Sequence, residues 1–472
     1  MSKFSIDQKW WVLIGVGIAS FMGCLDFTVV NTALPAIQAT FKCSVSQLQW
    51  VINVFIIALS TFMVISGRLA DLYGRKKILL TGISLFALSS LGAGLSIDFE
   101  QLLIFRFLQG LSCAILYTTS GAIVSNAFPE DQRGKAIGLL FGINGLGLAA
   151  GPVIGAFIVG LFHWKWIFLI NVPLAIIGIL ITALNVKESK EKNQSLSLDW
   201  FGLIGLLIAL PCLILGLNIG PHEGWTSPLT LSLLALSFLL FIAFYFIEKN
   251  VSNPIIQFSF FVNRMFISSI VATFTLAIFY CLAFFLMPMY LHTVLNKNNL
   301  VIGLMLLPTT AMVAIMSPIA GKLVDRFGPR VIILFGFLLF LVSSLIQSQF
   351  GISSSLTQIL IAFLIMGIGW AFILGPSTVA SLSSVPENIG AVAMGSAWTM
   401  HNIGGAIGLS VGVSIFYHFS INYTLASSIS IINKTIGYSR DMFIRGYSSS
   451  MWFLFVCSLL AFIVCFFGMR KE

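Results

Sequence analysis

Gly67-Arg-Leu-Ala-Asp-Leu-Tyr-Gly-Arg-Lys-Lys77 and Gly321-Lys-Leu-Val-Asp-Arg-Phe-Gly-Pro-Arg330 are one pattern written twice, G-[KR]-L-x-D-x-x-G-x-[KR]. Each closes a long apolar run, 47–67 in the first case and 300–323 in the second. The match continues beyond them. Gly110, in Arg106-Phe-Leu-Gln-Gly110, corresponds to Gly367 in Phe363-Leu-Ile-Met-Gly367, and Gly147 and Gly404 each follow 37 residues later. A self-similarity of this length marks a duplicated structural unit rather than a chance motif.

The runs themselves decide what kind of unit it is. The 472 residues are 58% hydrophobic and 9% charged, far from the roughly 25% charged residues of soluble domains. Cutting the chain at charged and turn-forming residues leaves fourteen apolar segments, each long enough to cross a hydrocarbon core about 30 Å thick. They span 10–34, 47–67, 78–97, 101–125, 135–160, 166–186, 198–218, 229–248, 265–290, 300–323, 331–350, 356–382, 391–418 and 449–468. Helices are the expected element, because each satisfies its own backbone in lipid. The expected fold class is therefore an all-α polytopic membrane protein arranged 6+2+6. Residues 1–190 form the first six-helix bundle, 191–257 an inserted helix pair, and 258–472 the second bundle. The run from Trp10 is too long for a cleaved leader and reads as a retained helix.

Eighteen of the 25 Lys and Arg fall at the termini or in one alternating set of loops, which the positive-inside rule assigns to the cytoplasm. The +9 net charge is thus topology, and nucleic acid is not an expected partner. Eight of the ten tryptophans sit near predicted span ends, at headgroup level; Trp370 and Trp398 do not. Of the seven cysteines only Cys43 falls in a loop, so the sequence offers neither a disulfide framework nor a metal motif, and metal ligands are expected to be none. It also lacks the G-x-x-x-x-G-K-[ST] phosphate loop of an ATP-driven machine, so no cofactor is expected and an ion gradient is the expected energy source.

Within this apolar sequence Asp26 is the one carboxylate placed deep in a span and Arg106 the one basic residue there. An ionised Asp at a helix centre costs roughly 2.5–3.5 kcal/mol. The two depths overlap, which predicts an Asp26–Arg106 couple, direct or through water, that gains and loses a proton as water reaches it from either side. A fixed buried ion pair is the alternative. At the loop, Asp71 between Gly67 and Gly74 is placed to meet a helix N-terminus, and Glu130 and Asp131 are expected to pair with Arg75 and Lys76. Gly142 to Gly155 does not have nucleotide-loop spacing and reads as small-residue helix packing. Polar or aromatic groups within spans, namely Asn31, Asn53, Gln109, Asn144, Asn171, Trp370, Trp398, His401 and Asn402, are candidates to line a substrate cavity between the halves. His401, the only His well inside the membrane, is a further protonatable candidate, with interhelical hydrogen bonding as the alternative.

These motifs resemble those of the major facilitator superfamily. Gly67 to Lys77 is similar to its loop motif, Arg106 to Gly110 to its fourth-helix R-x-x-Q-G motif, and Gly147-Leu-Ala-Ala-Gly-Pro-Val-Ile-Gly155 to the fifth-helix G-x-x-x-G-P-x-x-G antiporter motif. Leu25 to Pro35 and Trp164 to Pro173 resemble signatures of the fourteen-spanner drug:proton antiporters, such as quaternary-ammonium and Emr-type multidrug exporters. The resemblance implies alternating access without enzyme activity. It implies Asp26 and Arg106 in proton coupling, Gly67, Asp71, Gly74, Arg75 and Asp325 in a conformational-switch loop, and Gly147, Gly151, Pro152 and Gly155 restricting leak. It further implies small lipophilic or monovalent cationic substrates, antibiotic resistance, and a multi-pass place in the cytoplasmic (inner) membrane with both termini inside. A periplasmic adaptor protein is left open. Rival readings are a dedicated exporter of one natural product or siderophore, a proton-coupled importer, and a membrane-embedded enzyme.

Overall fold

In a computed structural model the described residues are 6–43, 45–189, 199–251, 255–256, 258–297, 299–426 and 440–469. The expected domain boundaries, 190/191 and 257/258, fall on or beside residues outside this set, and Lys3, Lys190, Lys192, Lys434, Arg470 and Lys471 lie outside it. Fourteen helices among the described residues are long and apolar enough to span a membrane. They are α1 (Ile6–Phe41), α2 (Val45–Tyr73), α3 (Arg75–Leu95), α4 (Phe99–Ala127), α5 (Arg133–Leu161), α6 (Trp166–Asn185), α7 (Trp200–Glu223) and α8 (Pro228–Asn250). The second half holds α9 (Arg264–Thr293), α10 (Asn299–Phe327), α11 (Pro329–Ser348), α12 (Leu356–Ser383), α13 (Gly390–Ala426) and α14 (Arg440–Gly468).

Packing reproduces the duplication. In the first half α1 contacts α4, α5 and α6, α2 contacts α4, and α3 contacts α4 and α6. Each pairing recurs eight helices later, as α9 with α12, α13 and α14, α10 with α12, and α11 with α12 and α14. Glycines set the closest approaches, and they too come in pairs. A Cβ on Gly110 would lie 2.3 Å from the Phe55 carbonyl oxygen, and one on Gly367 would lie 2.3 Å from that of Thr309. Gly147 abuts the Phe21 carbonyl as Gly404 abuts that of Phe274. The fifth-helix ladder Gly147, Gly151, Gly155 therefore has a counterpart in Gly404, Gly408 and Gly412, with Leu409 where α5 has Pro152. Close packing of this helix on its neighbour belongs to both halves; only the proline is one-sided.

The halves meet along two seams, α5 with α10 and α2 with α13, again related by the repeat. The inserted pair breaks that symmetry. α7 packs on α8, α2 and α13, so it covers one seam, and Ser410 and Ser414 of α13 take hydrogen bonds with the Leu217 carbonyl (2.7 Å) and the Trp225 indole N–H (3.0 Å). Asp199 caps α7 by accepting from Gly202 N, and buried Glu248 accepts from the backbone of Ile255 and Ile256.

Several span ends differ from expectation: α2, α7 and α13 run to Tyr73, Glu223 and Ala426, past the expected 67, 218 and 418. α1 continues seven residues past 34, through Pro35, which puts Asp26 nearer mid-helix than the sequence reading placed it. α14 begins at Arg440 rather than 449, because Phe443, Tyr447 and Ser450 keep one face buried through turns whose other face carries Arg440, Asp441 and Arg445. A rule that stops helices at charge misses turns extending beyond the lipid.

Candidate functional site

Arg106 sits about two turns into α4 and reaches α1. Its Nη1 donates to Asp26 Oδ2 at 2.5 Å and to Gln109 Oε1 at 3.0 Å, while Nε donates to the Val51 carbonyl at 3.0 Å. Gln109 Nε2 returns to Asp26 Oδ1 (3.2 Å) and to Ser90 Oγ (2.8 Å), and Asn171 Nδ2 approaches the same carboxylate oxygen at 3.4 Å. The guanidinium lies over the Phe55 ring, 4.3 Å from its centroid. Asp26 is 0% and Arg106 2% exposed. The pair is direct, and every contact to it comes from the first half. Gln109 and Asn171 are thus members of this charge network rather than of the cavity wall, a placement that i, i+3 spacing from Arg106 already allowed for Gln109. Burying two charges is repaid only when lone pairs and protons are otherwise satisfied, and this shell does so for all but Asn171 Oδ1, which is buried without a partner.

A second set of charges joins the halves on the face of the repeated loops. Asp71, at the end of α2, accepts from Ala391 N (3.3 Å) and Val392 N (2.8 Å) at the start of α13. Its Oδ1 also pairs with Arg75 at 2.8 Å, and Arg75 Nη2 donates to the Glu387 carbonyl at 2.6 Å. In the repeat mate, Asp325 at the end of α10 accepts from Gly134 N (2.7 Å) and Lys135 N (2.8 Å) at the start of α5. A carboxylate on the free N–H groups of a helix start is favoured by both hydrogen bonding and the macrodipole. Gly67 and Gly321 make the approach possible: a Cβ there would meet the Ala391 and Gly134 carbonyl oxygens at 2.3 and 2.2 Å. Gly74 has φ +111 and its backbone runs against Glu188, whose carboxylate accepts from Lys76 N and Lys77 N.

The expected pairing of Glu130 and Asp131 with Arg75 and Lys76 is replaced. Arg75 is taken by Asp71 and Glu387, Lys76 Nζ donates to the Ala183 carbonyl, and Glu130 lies 3.8 Å from Arg133 instead. Arg133 reaches across the seam to the Glu387 carboxylate at 2.5 Å. Glu387 and Glu188, which hold the latch together, carry no motif that sequence spacing would have flagged.

Between the charge network and the latch lies an aromatic layer. Tyr280 stacks on Trp370 with centroids 4.4 Å apart and on His401 at 5.6 Å; Trp398 meets His401 edge-on at 4.9 Å and crosses the seam to stack on Tyr117 at 5.6 Å. His401 Nδ1 lies 3.0 Å from both the carbonyl oxygen and the hydroxyl Oγ1 of Thr273. Asn402 Nδ2 contacts Met63 Sδ across the α2–α13 seam at 3.3 Å. Trp370 Nε1 and Asn144 Oδ1 are buried without a hydrogen-bond partner among the described residues. Asn53 is half-buried, whereas Asn31 is exposed and bonds back to the Phe27 carbonyl. Gly151 and Gly155 pack on Thr28 and Thr32 of α1, with Pro152 between them on the exposed side.

Residues 16–409 match the Major Facilitator Superfamily family description. Over 400 residues, 84% of this chain and 74% of the relative, the sequence is 34% identical to the multidrug resistance protein Stp of Mycobacterium tuberculosis. Over 468 residues, 99% of both, it is 29% identical to the riboflavin transporter RibZ of Clostridioides difficile. The crystal structure of the human organic anion transporter MFSD10 superposes with a TM-score of 0.68 at 15% identity, covering 97% of this chain and 99% of that one.

Proposed function

The chain belongs to the Major Facilitator Superfamily, and from that premise we propose that it is a proton-coupled antiporter that exports small lipophilic compounds by alternating access. The observation that carries this reading is the fully buried Asp26–Arg106 pair in the first half. Among the described residues, Asp26 is the one carboxylate away from the ends of α1–α6 and α9–α14, and a carboxylate there can bind and release a proton. The multidrug resistance relative supports the direction of transport and the breadth of substrate.

In this reading the loop face is cytoplasmic, as 18 of 25 basic residues favour. The Asp71 and Asp325 brackets hold that face shut, so the conformation is outward-facing. Protonation of Asp26 frees Arg106 from its partner and loosens the α1–α4 contact. Substrate entering from the inside-open state then exchanges for that proton. No ATP is required, and the cytoplasmic membrane supplies the gradient. Gly147, Gly151, Pro152 and Gly155 keep α5 against α1 and limit leak between the two half-cycles.

A second reading, a dedicated exporter of one compound, is favoured by the end-to-end alignment with a transporter named for a single molecule. A panel of dyes, quaternary ammonium compounds and antibiotics separates the two. Cells carrying the chain, assayed with and without a protonophore, are expected to exclude several panel members only while the gradient stands. Exclusion that survives the protonophore contradicts proton coupling, and exclusion of one compound alone selects the dedicated exporter.

A further inference from the structure

We propose that the central seat selects uncharged, flat heteroaromatic molecules and discriminates against cations of the same shape. The inference rests on the transporter reading above and narrows its substrate class.

Charge is the first observation. Outside the first and last six residues of α1–α6 and α9–α14, the described residues include one Asp, Asp26, and one Arg, Arg106, and no Glu or Lys. Both are committed to each other and sealed at 0% and 2% exposure. A cation reaching the aromatic layer would leave water and find no carboxylate to face. Desolvation of an unpaired ion in a low-dielectric site is the dominant penalty. Cation–π attraction offsets part of it, but a free aromatic face is needed. Here the Trp370 face is covered by Tyr280 and a Trp398 face by Tyr117.

The second observation is a pair of unused hydrogen-bonding atoms. Trp370 Nε1 is a donor and Asn144 Oδ1 an acceptor; both are buried with no partner among the described residues, in residues 6% and 7% exposed. An indole N–H and an amide oxygen left unsatisfied carry a cost that a ligand relieves. Trp370 lies one turn before Leu374, which lines a small cavity with Thr273, Ser377, Thr378, Met394 and Trp398. Asn144 lies one turn after Phe141, whose ring packs on Trp398. Half-buried Tyr117, Trp398, Tyr280 and Phe284 supply apolar walls between them. A rigid ring system with a carbonyl at one edge and an N–H at another satisfies both orphans at low entropic cost.

Acridone and N-methylacridinium share a three-ring outline; the first is neutral with one carbonyl and one N–H, the second a fixed cation. Their binding to the full chain in lipid nanodiscs is measured by ligand fluorescence anisotropy. Acridone is expected to bind at least tenfold more tightly. Trp370→Phe, which keeps a ring and removes the N–H, is expected to weaken acridone three- to tenfold and leave N-methylacridinium within twofold. Asn144→Asp, which installs a carboxylate, is expected to strengthen N-methylacridinium at least fivefold. This gain does not depend on how well Trp370→Phe folds. Equal or tighter binding of the cation by the unmodified protein, binding of neither probe, or no gain with Asn144→Asp overturns the proposal. The same protein in proteoliposomes keeps the two readings apart. Selective acridone binding without acridone movement down an imposed pH gradient leaves the seat standing and removes proton-coupled export.

Discussion

Replacing Asp71 by Asn isolates the contribution of one helix-start bracket to the conformational balance. The carboxylate accepts two backbone N–H groups of α13, at 3.3 and 2.8 Å, from a position 1% exposed. Asn keeps one acceptor oxygen, so one charge-assisted bond is lost, about 1.5–3 kcal/mol. The interaction with the α13 macrodipole, roughly 1 kcal/mol in a partly buried setting, goes with it. Arg75 also loses its partner, which weakens its hold on the Glu387 carbonyl. A loss near 3 kcal/mol moves the ratio of sealed to open states on this face by about 150-fold. Ser377, 2% exposed and behind the seal, is a suitable reporter once changed to Cys in a chain whose seven native cysteines are replaced. A membrane-impermeant maleimide added from the loop face should label the Asp71→Asn variant at least tenfold faster than its parent. Labelling within threefold of the parent, in protein of unchanged thermal stability, would refute the assignment of Asp71 as a latch.

The repeat makes the next expectations specific. Asp325→Asn, losing contacts of 2.7 and 2.8 Å to α5, should accelerate the same labelling to a similar extent. Gly67→Ala and Gly321→Ala push a methyl into carbonyl oxygens across the two seams and should also open this face, whereas Gly110→Ala and Gly367→Ala clash within one half. The last two should each cost about 1–3 kcal/mol, read as lower melting temperatures in detergent, without changing the labelling ratio. Arg106→Gln alone strands a buried carboxylate and should destabilise the fold by about 3–5 kcal/mol. The double change Asp26→Asn with Arg106→Gln should recover most of that stability in the same melting assay.

The fourteen spans, the duplication and the Asp26–Arg106 ion pair are legible because lipid leaves few choices: a charge in an apolar run either has a partner or has a use. Asp26 and Arg106 stood out by scarcity, and the structure brings them into direct contact. Span ends were less legible, since α1 and α14 run past the apolar zone on contacts that hydropathy does not record, such as Tyr447 Oη on Gln347 at 2.8 Å. The latch was half visible. Asp71 and its glycines repeat in Asp325, but Glu387 acts through its backbone on Arg75 and through its side chain on Arg133, 254 positions away. Local spacing does not encode such a partner. Nor does composition tell a cavity wall from a charge network: Gln109 and Asn171 are polar groups within spans that hydrogen-bond the Asp26 carboxylate.

Asp26 is the proposed proton carrier, and reconstitution tests that proposal most directly. Proteoliposomes preloaded with substrate are given a pH gradient, and uphill movement is compared with gradient-free substrate–substrate exchange. For Asp26→Asn the account predicts exchange preserved within a few-fold and gradient-driven accumulation abolished, because Asn binds no proton while the halves still rock. Accumulation by Asp26→Asn equal to that of the unmodified protein would contradict it.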